Sequence, residues 1–112
     1  MSEDPIELLK HIVDECSYIL SVSYNLSKDN FLDDETLKRA VIRSLEIIGE
    51  ATKKIPEDFK LKWRSVQWKN MAGMRDRLIH DYMGVNYSIV WDVVKNKIPE
   101  LNDQLLKVLD EK

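Results

Sequence analysis

DDETLKRAVIRSLEIIGEA, residues 33–51, decides the fold class. Leu37, Ala40, Val41, Ser44, Leu45, Ile48 and Ala51 recur at three- and four-residue intervals, the period of one helical face turned toward a core. Asp33, Asp34 and Glu35 stand where a helix N-terminus attracts negative charge, and Pro56 stops the run because it has no N–H to donate. Working back toward the N-terminus, Asp4-Pro5 pairs a capping residue with a favourable first-turn residue. The helix that follows carries Leu8, Leu9, Ile12, Val13, Cys16, Ile19 and Leu20 at helical spacing and is expected to end near Leu26. Downstream of Pro56, a connection of about ten residues should precede a third helix from about Gln67 to Tyr82, with Trp68, Met71, Ala72, Leu78 and Ile79 as its packing residues. A fourth begins near Ser88 and uses Ile89, Val93, Val94, Leu101, Leu105, Leu106 and Leu109, with Pro99 kinking or dividing it. Four amphipathic blocks and no internal repeat, low-complexity tract or linker predict a single all-α domain over 1–112, an antiparallel up-and-down four-helix bundle.

Composition agrees with this architecture. Three glycines and three prolines in 112 residues leave few turns, which disfavours an all-β fold, and 33% charged against 44% hydrophobic residues suits amphipathic helices. Cys16 is the sole cysteine, so neither an intrachain disulfide nor a cysteine-based zinc site is possible, and its apolar neighbours predict burial. No segment approaches the roughly 20 apolar residues that span a bilayer, and Glu3 and Asp4 stand where a signal peptide would be basic. A cytoplasmic protein with no membrane contact is expected. The net charge of −3 is unevenly distributed: residues 53–77 carry +5 and the remainder −8. A basic region of this kind suits a nucleic-acid backbone, and it also suits a solvated surface that balances acids elsewhere.

Chemistry concentrates in MRDRLIHDY, residues 74–82. Arg75 offers a planar fork to a phosphate, His80 can move protons near neutral pH, and Tyr82 can donate a hydrogen bond or accept a transferred group. At about 100° per residue, Arg75 and Tyr82 fall within about 20° of one face, whereas His80 points about 140° away from Arg75. One straight helix does not bring all three together. The simplest remedy is an isologous homodimer in which two copies of the helix share a cleft. No H-E-x-x-H motif, D-x-D cluster or Gly-rich phosphate loop is present, so neither a metal nor a cofactor is expected, and His11 lies on another helix without a partner pattern.

The spacing R-x-x-x-x-H-x-Y at Arg75, His80 and Tyr82 resembles the signature of HEPN-domain ribonucleases. AVIRSLEIIGEA at 40–51, VQWKNMAGMRDRLIHDYMGV at 66–85, Val90-Trp91 and Ile98-Pro99-Glu100-Leu101 extend the likeness to the HepT toxin family over most of the chain. The resemblance implies a HEPN-like bundle, a homodimer with a composite site, and a metal-independent endoribonuclease with Arg75 and His80 as catalytic residues. It implies as partner an MntA-like minimal nucleotidyltransferase antitoxin, which silences the toxin by transferring AMP to Tyr82. The same fold also serves as a non-catalytic nucleotide- or RNA-binding partner of nucleotidyltransferases, and that alternative stays open.

The neighbouring residues divide between supporting and structural readings. Asp76 either orients Arg75 or His80 or is solvated. Glu50, read as an acid within an otherwise apolar stripe, supports the site or caps a neighbouring helix. Lys69 and Arg77 are candidates for RNA contact, although Arg77 also suits a surface ion pair with Asp81 four positions on. Trp68 and Trp91 are expected in the core, while Trp63 stays open between stacking on a base and packing.

Overall fold

Residues 4–74, 76 and 84–111 are described by the structure, a computed structural model. Asp4 caps the first helix, α1 (Pro5–Ser23), its Oδ1 accepting a hydrogen bond from the Ile6 amide at 2.9 Å. α1 ends three residues before the expected Leu26. The buried Ser23 hydroxyl donates back to the Ile19 carbonyl at 2.7 Å, and the Leu26 amide closes a turn on the Ser23 carbonyl. This turn leads into a helix that periodicity does not reveal, α2 (Lys28–Asp33), whose cap Ser27 accepts from the Asn30 amide at 3.1 Å. Six residues are too few for an isolated helix in water, so tertiary packing must hold it. Phe31 supplies that packing: it is fully buried, and its ring lies 5.2 Å from that of Trp91, tilted by 35°. Phe31→Ala is expected to cost about 3–5 kcal/mol and to lower the melting temperature by roughly 15 °C or more, as checked by thermal denaturation.

α3 (Glu35–Lys54) follows with one residue between, Asp34, whose carboxylate accepts from the Leu37 amide at 2.9 Å. Its buried side chains include Val41, Ser44, Leu45, Ile48 and Ala51, as the spacing predicts, together with Lys38 and Thr52. Lys38 is buried because its ammonium is engaged twice, 2.6 Å from Glu35 Oε2 and 4.6 Å from the centre of the Tyr87 ring. The hydrogen bond from Lys38 holds the Glu35 carboxyl below its ordinary pKa. The stabilisation is therefore present above the ordinary glutamate range and is lost as pH falls through the lowered value.

The expected ten-residue connection after Pro56 is largely helical. α4 (Glu57–Lys62) places two acids in its first turn and Lys60 and Lys62 in its last, the arrangement a helix dipole favours. α4 buries none of its own residues, so it leaves no apolar stripe in the sequence. α5 (Trp68–Ala72) begins one residue after the expected Gln67 but ends at Ala72, where Gly73 caps it with its amide on the Lys69 carbonyl. The expected uninterrupted helix is thus broken by a turn at Gly73, beyond which Met74 and Asp76 are again helical. The predicted continuation to Tyr82 lies outside the described residues.

The C-terminal rod comprises α6 (Tyr87–Asp92), capped by Asn86, a π turn at Val93–Lys97, and α7 (Ile98–Glu111). Pro99 does divide this helix, through the turn that precedes it. Pro99 has no N–H, and its ring would collide with the carbonyl of Lys95 in a regular α-helix. The Ile98 amide instead reaches five residues back to the Val93 carbonyl, which widens the turn ahead of the proline.

α1 packs against α3 and α7, α3 against α5, and α2 against α6. Leu9, Ile12, Cys16, Ile19, Leu45, Ile48, Val90, Val94, Ile98 and Leu105 meet in this all-α, HEPN-like core. Burial pushes the Cys16 thiol up to about 12, well away from the thiolate range in which cysteines react. Among the described residues there is no β-strand, and no helix is long and apolar enough to cross a membrane.

Candidate functional site

α5 is pinned at its start by Trp68. The ring is buried, its Nε1 donates to the Trp63 carbonyl at 3.0 Å, and Phe59 of α4 packs against it nearly edge-on at 6.3 Å. Trp68 is thus a core residue, as its spacing predicts. Trp91 is partly buried against Phe31, with the Lys95 ammonium 5.3 Å from its ring centre. Trp63 is partly buried and packs against the core. Met71 on α5 and Met74 just beyond it are buried, and Met74 immediately precedes the Arg-His signature in the sequence.

Of the residues singled out from the sequence, Arg75, Arg77, His80 and Tyr82 lie outside the described residues. Asp76 is exposed, and its carboxylate lies 3.9 Å from the Lys53 ammonium at the end of α3. Both side chains are more than half exposed, so water screens the pair and it contributes about 0–1 kcal/mol at most. Glu50 differs from its reading: it is exposed on α3 and stands outside the apolar stripe, whose neighbouring buried positions are Ile48, Gly49 and Ala51. Helical rotation of about 100° from Gly49 is enough to carry it out of the core.

Lys69 is exposed on α5 and lines an open trough of about 650 Å³ between α4 and α5. Lys60 and Arg64 line the same trough, with Glu57 as its acid. Three cations against one acid give this surface a positive potential that a polyanion would feel. Sequence reasoning counted Lys60 and Arg64 in the basic region without assigning them a site. Charge counting registers density, and only the turn between α4 and α5 places these cations around one hollow.

Two exposed amides at the start of α5 also escaped the sequence reading. Asn70 Nδ2 donates to Gln67 Oε1 at 2.8 Å, forming a bridge at the edge of the trough. Among the described residues no three His, Cys, Asp or Glu side chains gather in a group that could hold a metal ion.

Comparison with known proteins gives concordant matches. The family described as "Ribonuclease HepT-like" matches residues 7–108. A candidate RNase of Caldanaerobacter subterraneus subsp. tengcongensis is 46% identical over 107 residues, covering 96% of each chain. A candidate RNase of Methanocaldococcus jannaschii is 47% identical over 97 residues, 87% of this chain and 80% of the relative. A protein of Thermococcus cleftensis named "Probable ribonuclease HepT" is 41% identical over 102 residues, 91% and 93% of the two chains. No solved structure matches.

Proposed function

The chain belongs to the HepT-like ribonuclease family, and from that membership we propose that it is a metal-independent endoribonuclease and the toxin of a toxin-antitoxin pair. The observation that carries the proposal is the adjacency, along one stretch of chain, of a cationic trough at Lys60, Arg64 and Lys69 and the signature residues Arg75 and His80. A trough of this charge suits the phosphates of an RNA strand. The signature supplies what cleavage by the RNA's own hydroxyl requires. The 2′-oxygen forms a bond to the adjacent phosphorus as the bond from phosphorus to the 5′-oxygen breaks. His80 transfers a proton to or from these oxygens, and Arg75 stabilises the charge that grows on the phosphoryl oxygens. The products are a 2′,3′-cyclic phosphate and a 5′-hydroxyl. DNA lacks the nucleophile and is not cut.

Incubation of the protein with single-stranded RNA in the presence of a chelator tests this. Cleavage with those two end groups is expected, whereas 5′-phosphate ends or loss of activity to the chelator would replace this mechanism by another. If residues 75–82 form the straight helix expected from their sequence, Arg75 and His80 would diverge on it, and from that expectation we infer that the working unit is a homodimer with a shared cleft. Sedimentation at micromolar concentration should show the dimer, and a lone monomer that cuts RNA at full rate would refute the composite site.

The role of the trough is separable from the chemistry. Replacing Lys60, Arg64 and Lys69 together by glutamine should weaken binding of a fluorescent single-stranded RNA. It should also flatten the slope of log affinity against log salt by about 2, since each phosphate contact on a single strand contributes about 0.7. Fluorescence anisotropy across a salt series measures both.

A further inference from the structure

α5 separates two unlike surfaces. On one side lies the cationic trough. On the other is a cavity of about 190 Å³ between α5 and the C-terminal rod. Met71 and Met74 face it from the α5 side, and Ile89, Val93 and Leu101 from α6, the π turn and α7. Four of these five are buried, whereas Ile89 is 45% exposed at the mouth. Gln67 and Asn70 line both the cavity and the trough, so the bridged amides form the ridge between them.

We propose that this cavity receives one nucleobase of the RNA whose phosphates occupy the trough, and that Gln67 and Asn70 read the edge of that base. The proposal rests on the ribonuclease reading and adds a source of sequence preference to it. The volume falls below the ~300 Å³ at which pockets for drug-sized ligands begin, and it suits a single planar heterocycle. Its apolar wall includes two thioethers, which pack favourably against aromatic rings, and the charged Asp92, Lys97 and Glu100 with Gln104 complete the lining from the C-terminal rod.

The ridge supplies hydrogen bonding of both signs. With Asn70 Nδ2 donating to Gln67 Oε1, the Nε2 protons of Gln67 and the Oδ1 of Asn70 remain to be offered as donor and acceptor. A base edge presents that pairing in return, and single-stranded RNA leaves its base edges open to be read. The π turn lines the far wall with Val93 and Lys97, consistent with the frequent placement of such turns at functional sites. Met74, which lines the cavity, is bonded to Arg75, so the base held here belongs to a nucleotide close to the phosphate that is cut.

The test uses the full chain with ¹³C-methyl-labelled methionine and four 2′-O-methyl tetranucleotides, each of one base, which cannot be cleaved for want of a free 2′-hydroxyl. One base is expected to shift the Met71 and Met74 methyl resonances and to bind about tenfold more tightly than the poorest. Gln67→Ala and Asn70→Ala, both at exposed positions, should erase most of that advantage. Ile89→Trp, which fills the mouth, should abolish the methionine shifts while salt-dependent binding to the trough persists.

Methionine shifts in a protein that cuts no RNA would support the base pocket and refute the ribonuclease reading. Cleavage without any shift at Met71 and Met74 would do the reverse. Equal affinity for all four bases, unchanged by either amide variant, overturns the proposal. Methionine shifts that follow protein concentration in the absence of RNA also overturn it, because a second copy of the chain would then fill the cavity.

Discussion

His80→Ala is expected to abolish RNA cleavage in a protein that remains folded. The proposed reaction requires proton transfer at the attacking and leaving oxygens, and no other imidazole accompanies Arg75 in the signature. Arg75→Ala should lower the rate on the order of a hundredfold or more by removing a guanidinium from the growing phosphoryl charge. The core formed by Leu9, Ile12, Ile19, Leu45, Ile48, Ile98 and Leu105 lies on other elements, so circular dichroism should report unchanged helix content in both variants. Single-turnover cleavage of a defined RNA measures the effect. Activity that survives His80→Ala would remove histidine from the mechanism, and RNA binding without cleavage in the wild-type protein would favour a non-catalytic binding partner.

AMP transfer to Tyr82 by a partner nucleotidyltransferase is expected to silence the enzyme nearly completely. The helical spacing expected from the sequence would set Tyr82 within about 20° of Arg75, and the chain sets it two residues from His80. A phosphate and an adenosine at that oxygen therefore bring negative charge and bulk to the place where an RNA phosphate must enter. Incubation with the cognate partner, ATP and magnesium should add one or more AMP masses to the peptide containing Tyr82 and remove RNase activity. Tyr82→Phe should block the mass change and retain much of the cleavage, because only the acceptor oxygen is lost. Labelling of that variant at another residue, or full activity of the labelled wild type, would show that control acts elsewhere, as by the partner covering the dimer cleft.

The two longest helices were legible because each states its own buried face. Leu9, Ile12, Cys16 and Ile19 on α1, and Val41, Leu45 and Ile48 on α3, repeat at the helical period, and Asp4 and Asp34 announce the caps. The Arg75, His80 and Tyr82 signature was legible for a different reason, since its information lies in residue type and spacing along a single segment. Glu50 was misplaced because an acid beside apolar neighbours looks like part of their stripe until the helical rotation is followed residue by residue.

Other features had no local signal. α2 and α4 have six residues each, too few to express a period, and α2 is held through one side chain, Phe31, which packs on Trp91 sixty positions away. Pro99 signalled that the last helix must yield without saying how, and the π turn appears upstream of it because the preceding carbonyls are the ones the ring would strike.

The sequence by itself determined the helical class, the two longest helices and their caps and the burial of Cys16, all of which are properties of contiguous stretches, and it supplies the residues on which the proposed chemistry rests. Only the tertiary structure decided that Lys60, Arg64 and Lys69 share one trough, that Asp76 faces Lys53, and that Met71 and Val93 enclose a cavity with Gln67 and Asn70 at its edge. Periodicity specifies which side of a helix is buried, whereas the partner that covers it is chosen by packing between segments distant in the chain.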